Sequence, residues 1–172
     1  NLGIHYYSNG ITFIRNLGEN EKTEILYNLH LNMAECQYST ADFFEAILSC
    51  KQSFQYAKTR KEKTETYRCL ISIYLMENNT QVAIKYGLEC LKLYDIMIQL
   101  NSLKSLMLKE LKGILKRIES INTDDIVNYN KMHDEDYIAL MEVILSLSAS
   151  SYVSYPTLSS LINIYGVKIS LE

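Results

Sequence analysis

The 172-residue chain has a single proline, Pro156, only six glycines and no tryptophan. So few backbone breakers argue against a turn-rich β architecture and favour long helices. Long apolar runs are missing as well. The longest, Leu70 to Met76, is interrupted by Ser72, and a membrane span needs about 18 residues. No signal peptide is visible, although the chain begins at Asn1 rather than Met. A large excess of one charge is missing too. The net charge of −3 does not advertise a nucleic-acid surface, though it leaves room for local basic patches. The four cysteines, Cys36, Cys50, Cys69 and Cys90, include no C-x-x-C pair. Each falls within a predicted helix, so the expectation is buried free thiols in a reducing cytoplasm.

The signatures of chemistry are equally sparse. The chain has no G-x-x-x-x-G-K-[ST] loop, no G-x-G-x-x-G and no G-x-S-x-G elbow. Its three histidines are His5, His30 and His133. His30 and Cys36 are six positions apart, which does not put them on one helical face. The run His133-Asp134-Glu135-Asp136 looks like a ligand cluster, but adjacent residues at a helix start point in different directions. Asp134 as N-cap, with acids in the first turn, accounts for it without a metal. The basic residues Lys58, Arg60, Lys61 and Lys63 are expected in a solvated connector near a helix C-terminus. No catalytic residue, cofactor site or metal site is expected.

What is present is helical periodicity. Apolar residues make up 48% of the chain, and their spacing predicts an all-α fold of about seven to nine helices. Expected helices cover 3–17, 22–39, 43–57, 65–77, 81–94, 100–120, 134–150 and 157–170. Gly10 weakens the first. The second is read with Ile25, Leu26, Leu29, Met33, Cys36 and Gln37 on one stripe. Thr40 and Thr80 are expected to cap the helices that follow them. Gly18-Glu19-Asn20 is read as a loop, and 121–132 as a loop with a short helical turn at 124–128. Ser148-Ala149-Ser150-Ser151 is expected to loosen one helix, and Pro156 to open the last.

Two of these segments look alike. Ala34 to Tyr38, then Asp42-Phe43-Phe44-Glu45-Ala46-Ile47, is matched by Tyr67 to Tyr74, then Gln81-Val82-Ala83-Ile84. Ala46 and Ala83 are equivalent and lie 37 positions apart. This spacing resembles stacked helix pairs of the tetratricopeptide kind, whose repeat is about 34 residues. The implied architecture is a TPR-like helical-repeat (α-α superhelix) domain. Its helix pairs occupy 1–95, and a helical extension over 96–172 packs on them as one continuous domain. The segment before Leu17 reads as the trailing helix of a further pair, and the chain as an excised piece of a longer protein, with Leu171-Glu172 as a scar before a purification tag.

A second resemblance covers about residues 30 to 170. Ala83-Ile84-Lys85-Tyr86-Gly87-Leu88-Glu89-Cys90-Leu91-Lys92-Leu93-Tyr94-Asp95-Ile96 is similar to the pattern A-I-x-Y-G-L-x-x-L-x-L-L-G-I. That pattern occurs in the helical region of large sensor kinases that combine a serine/threonine-kinase-like domain, an AAA-type (STAND) ATPase, a GAF sensor and a histidine kinase. Lys116-Arg117-Ile118-Glu119-Ser120-Ile121, Lys131-Met132-His133-Asp134 and Ser150-Ser151-Tyr152-Val153-Ser154-Tyr155-Pro156-Thr157-Leu158 follow that family's later motifs in order. Tyr94-Asp95 replaces the family's Leu-Gly pair, and His133 its threonine. The resemblance implies a non-catalytic, cytoplasmic scaffold or regulatory segment of a signal-transduction protein, whose kinase and ATPase activities lie in other domains.

Such a segment acts by contact with neighbouring domains of its parent or with a protein or peptide partner. It has no nucleic-acid partner and no membrane span. In the repeat register the partner groove falls on Asn28, Leu31, Glu35 and Tyr38 of one leading helix and on Glu65, Arg68, Ser72 and Leu75 of the next. A freestanding TPR-like peptide-binding adaptor is the alternative, and a small helical enzyme or metal protein a remote one.

Overall fold

Part of this fold is built on a repeat that the helix boundaries themselves display. The computed structural model describes residues 2–17, 22–121 and 131–171. Among them are eight α-helices and no strand. They are α1 (Leu2–Leu17), α2 (Thr23–Ser39), α3 (Phe43–Tyr56), α4 (Arg60–Met76), α5 (Thr80–Lys92), α6 (Leu103–Glu119), α7 (Glu135–Ser151) and α8 (Pro156–Ser170), with a 3₁₀ turn at Leu100–Ser102 before α6. Thr23 and Arg60, Ser39 and Met76, and Phe43 and Thr80 are each 37 positions apart. The chain divides into two compact units, Asn1–Tyr86 and Gly87–Glu172, with the division inside α5.

The 37-residue register extends to the turns. Each leading helix ends with a non-glycine residue in the left-handed region, Ala41 at φ 60° after α2 and Asn78 at φ 58° after α4. In both, two backbone bonds close the helix end: Asp42 N–H to Gln37 and Ala41 N–H to Tyr38, then Asn79 N–H to Tyr74 and Asn78 N–H to Leu75. This is the Schellman arrangement, where glycine is the usual left-handed residue. Asp95, at φ 59°, ends α5 in the same way through Ile96 N–H to Leu91.

The caps differ from the sequence expectation. Thr40 does not cap α3. It sits at the C-cap of α2, and its hydroxyl donates back to the Cys36 and Gln37 carbonyls. Thr80 lies inside α5, and the Asn79 side chain accepts from Val82 N–H. The segment read as a basic connector is largely helical: α4 starts at Arg60, five residues before the expected start. Thr59 accepts from Glu62 N–H at 3.1 Å, and the Glu62 carboxylate accepts from Thr59 N–H at 2.8 Å. Thr59-Arg60-Lys61-Glu62 is a capping box. Its signature was in the sequence, obscured by the basic residues within and around it.

The core of the first unit lies between α2, α3 and α4. Tyr27, Leu31, Ala34, Ala46, Cys50, Cys69, Leu70 and Ile73 form one buried cluster. A smaller cluster of Ile11, Ile14 and Leu26 joins α1 to α2. Neighbours on both sides therefore bury much of α2. Its interior residues are Leu26, Tyr27, His30, Leu31, Ala34 and Gln37, while Ile25, read as part of the stripe, is exposed. Gly10 does not interrupt α1, which runs unbroken to Leu17. The loop expected at Gly18-Glu19-Asn20 and the short turn expected at 124–128 lie outside the described residues.

Small residues close the hairpins. Ala46 and Ala83 are completely buried, each four positions after the residue that precedes its helix. Ser159 holds the same place in α8 and is also buried. Its hydroxyl donates to the Ser148 carbonyl of α7 at 3.0 Å. The serine run expected to loosen α7 instead stays helical to Ser151, with Ser150 and Ser151 hydroxyls bonded to the Leu147 carbonyl. Pro156 opens α8 at its first turn. In the second unit Gly87 of α5 lies against Leu147 of α7. A Cβ added at Gly87 would fall 2.1 Å from a Leu147 methyl, and Leu147 is fully buried.

Ala83→Leu and Gly87→Ala should therefore each destabilise the chain by about 1–3 kcal/mol through overpacking. Chemical denaturation measures this. The cost of Gly87→Ala should shrink in a Leu147→Ala background, because the two side chains compete for one space.

Candidate interaction surface

The residues expected to line a partner groove occur in equivalent pairs of the 37-residue register, Asn28 with Glu65, Leu31 with Arg68, Glu35 with Ser72 and Tyr38 with Leu75. Asn28 and Glu35 are exposed, and Tyr38, Glu65, Arg68, Ser72 and Leu75 are half-buried. Leu31 is the exception. It is buried in the α2–α3–α4 core and offers nothing to a partner. Its position is one where α2 meets its neighbours, whereas the equivalent Arg68 reaches outward on a longer side chain.

Two of the expected residues meet. The Arg68 guanidinium lies 3.7 Å from the Glu35 carboxylate, joining α2 to α4 across their exposed side. Glu65 is partly committed to the fold. Its carboxylate accepts a hydrogen bond from the Tyr27 hydroxyl at 3.0 Å and pairs with Lys61 at 3.9 Å. The Tyr27 hydroxyl also donates to the Glu62 carbonyl at 2.8 Å. Burial pushes that hydroxyl's pKa well above the ordinary tyrosine value, and the Glu65 charge adds to the effect. Tyr27 therefore remains a neutral donor that fixes the first turns of α4 to α2. Tyr38 packs on the core and against Phe43, with ring centroids 6.3 Å apart. Asn28, Ser72 and Leu75 complete the row.

Behind this surface the two hairpins solve one packing problem with different chemistry. In the first, the Ser49 hydroxyl donates to Gln37 Oε1 at 2.7 Å in a buried hydrogen bond. Thirty-seven positions on, Tyr74 and Tyr86 stack at 5.4 Å with planes 16° apart. Tyr67 and Phe54 extend that aromatic set, in edge contact at 4.7 Å.

His30 is the least satisfied polar group. It is 4% exposed, and neither ring nitrogen has a hydrogen-bond partner among the described residues. Its ring stacks on Tyr56 of α3 at 5.7 Å with planes 7° apart. Burial, reinforced by the positive charge of Arg15, lowers its pKa to about 4. Cys50, Cys69 and Cys90 are buried thiols outside any disulfide, and Cys36 is half-buried. Burial and the neighbouring Cys69 thiol push Cys50 far above the ordinary thiol range, the contact with Cys69 being the larger cause. A thiol held protonated in this way is a poor nucleophile.

The second unit contains a cavity of about 300 Å³ lined by residues that include Tyr94, Glu110, Tyr137, Tyr165 and Lys168. Two of its charges pair with each other: Lys168 Nζ lies 3.1 Å from Glu110 Oε2, and 5.7 Å from the centroid of the Tyr165 ring. Burial and the Glu110 charge raise the Tyr165 hydroxyl. Tyr94 donates to the Asp136 carbonyl at 2.8 Å. The nearby acidic run is a helix start. Asp134 caps α7, accepting from Asp136 N–H at 2.9 Å and Tyr137 N–H at 3.3 Å. Sequence reasoning found that cap but not the cavity, because its walls come from four separate stretches of chain.

The His30 environment makes stability depend on pH. The folded state keeps the imidazole neutral down to about pH 4, whereas the unfolded chain takes up a proton near 6.5. Stability contributed by the neutral ring is complete above about 6.5 and is lost as pH falls toward 4, by at most a few kcal/mol. The wild-type minus His30→Leu stability difference should fall as pH drops through that window, because the variant lacks this titration. The substitution should also leave the variant at least as stable at neutral pH, since it removes a buried unpaired polar group. Thermal melts of both proteins from pH 7 to 4 measure this.

No protein-family model, curated protein or solved structure matches the chain. The resemblance to the helical region of sensor kinases stands on its quoted motifs alone.

Proposed function

We propose that this chain is a non-catalytic helical-repeat scaffold or regulatory segment of a multidomain signal-transduction kinase or related ATPase regulator. It acts by contact, holding a neighbouring domain or a protein partner on the exposed side of its leading helices α2 and α4. The observation that carries the reading is the 37-residue repetition of helix starts, ends and left-handed turns. Repeats that share one register present equivalent residues side by side, which is how stacked helix pairs form an extended binding face.

The row on that face consists of Asn28, Glu35 and Tyr38 from α2, with Glu65, Arg68, Ser72 and Leu75 from α4. Carboxylates, a guanidinium, amide and hydroxyl groups and one aromatic ring suit a polar peptide or domain surface better than a small apolar ligand. The Glu35–Arg68 pair joins the two helices at the middle of the row. Its charges are partly exposed, so the pair contributes at most about 1 kcal/mol to stability.

The pair also supplies a clean test. Exchanging its charges, Glu35→Arg with Arg68→Glu, keeps an ion pair inside the chain and reverses what a partner meets. Glu35 is exposed and Arg68 half-buried, so stability should fall by about 1 kcal/mol, as for a typical single substitution. Association with the adjoining domains of the parent protein, measured by titration calorimetry with those domains purified, should weaken by about tenfold or more. Unchanged association in the exchanged variant would place the binding face elsewhere.

A further inference from the structure

Helix α1 carries two apolar faces. One, with Ile11 and Ile14 at its centre, is buried against α2. The other is solvent-exposed: Leu2 at 75%, Tyr6 at 69%, Phe13 at 63% and Leu17 at 55%. At 3.6 residues per turn these four side chains fall within an arc of about 60°. They form one stripe from the first turn of the helix to the last. The described residues cover only the first of these two faces.

The order of residues along the stripe identifies what covers the second. Leu2 and Leu17, and Tyr6 and Phe13, are placed symmetrically about a midpoint between Asn9 and Gly10. When two such helices lie antiparallel, Leu2 of each meets Leu17 of the other and Tyr6 of each meets Phe13 of the other. All four positions are then used at once. That is the self-complementarity an interface with two-fold symmetry requires.

Charge permits the pairing. The helix has no acidic residue, and its only lysine or arginine is Arg15, which lies about 170° round from the stripe. Arg15 is on the side where its charge reaches His30 of α2. Antiparallel helices also oppose their dipoles favourably. Asn9, beside the midpoint, is already hydrogen-bonded within the helix to His5 at 3.1 Å.

We propose that two copies of this chain associate through an antiparallel α1–α1 pair along the Leu2–Tyr6–Phe13–Leu17 stripe. Four side chains of this size bury on the order of 400 Å² per partner, about half of the 800 Å² of a standard stable interface. The dimer is therefore weak, and its population depends on concentration. It is independent of the face formed by α2 and α4, so either surface stands if the other fails.

Sedimentation equilibrium tests the proposal. The weight-average mass should rise from 19.9 kDa toward twice that value between about 10 and 500 μM protein, the range expected of so small an interface. Tyr6→Lys and Phe13→Glu should each remain monomeric throughout. Both positions are exposed, so the helical circular dichroism should be unchanged, and Leu2→Lys at the end of the stripe should act in the same direction. An equimolar mixture of Tyr6→Lys and Phe13→Glu should recover dimer. Each mixed pair brings the two introduced charges together at one contact and keeps a native Tyr–Phe contact at the other. A wild-type monomer across the whole range, a dimer indifferent to Phe13→Glu, or a mixture that stays monomeric would overturn it.

Discussion

The rest of the structure depends on how closely the helices of each hairpin approach. Ala46, Ala83 and Ser159 stand at the same point of three hairpins, each with its backbone N–H bonded to the residue just ahead of its helix. A side chain no larger than serine at that point lets the following helix lie flat on the leading one. The larger residues then interlock on either side: Tyr27, Leu31 and Cys50 in one hairpin, Tyr74 and Tyr86 in the next. Interiors of this kind are packed as densely as organic crystals, so a small residue in one place fixes the position of large ones around it.

That constraint explains why the positions around it vary so freely in chemistry. Gln37 with Ser49 and Tyr74 with Tyr86 occupy equivalent sites, one pair joined by a buried hydrogen bond and the other by stacked rings. A buried amide is tolerated only when its polar atoms are satisfied, and the Ser49 hydroxyl does that for Gln37. The aromatic pair needs only shape. Conformity between the two repeats therefore resides in backbone geometry and in the small residues, not in the side chains that fill the space between.

The same distinction decides what could be read from the amino acids alone. The helical class, the 37-residue spacing of Ala46 and Ala83, the Asp134 cap and the place of Pro156 all express local rules of periodicity and capping. Sequence and structure part where tertiary neighbours or overlapping signals intervene. A single stripe on α2 includes Ile25, yet a helix flanked by α1 on one side and α3 and α4 on the other buries more of its circumference than one stripe, and Ile25 is exposed. The same neighbours bury Leu31, which the repeat register puts on the surface. The start of α4 is hidden among basic residues although Thr59 and Glu62 announce it. The lone pairs of His30, the Tyr27 bridge to α4 and the walls of the second unit's cavity depend on residues far apart in sequence, and no window along the chain contains them.

The three left-handed residues lead to a different kind of consequence. Ala41, Asn78 and Asp95 hold positive φ without being glycine, and for alanine this conformation costs on the order of 1 kcal/mol, less for asparagine and aspartate. The Ala41 turn has the least tendency of the three to form in an otherwise unfolded chain, which makes it a poor folding nucleus. Its reversal of direction is imposed from outside, once two helices have begun to pack across Ala46. The order of events in folding should then run from helix contact to turn closure, and this turn should be among the last features to acquire native structure on the way to the transition state or beyond it.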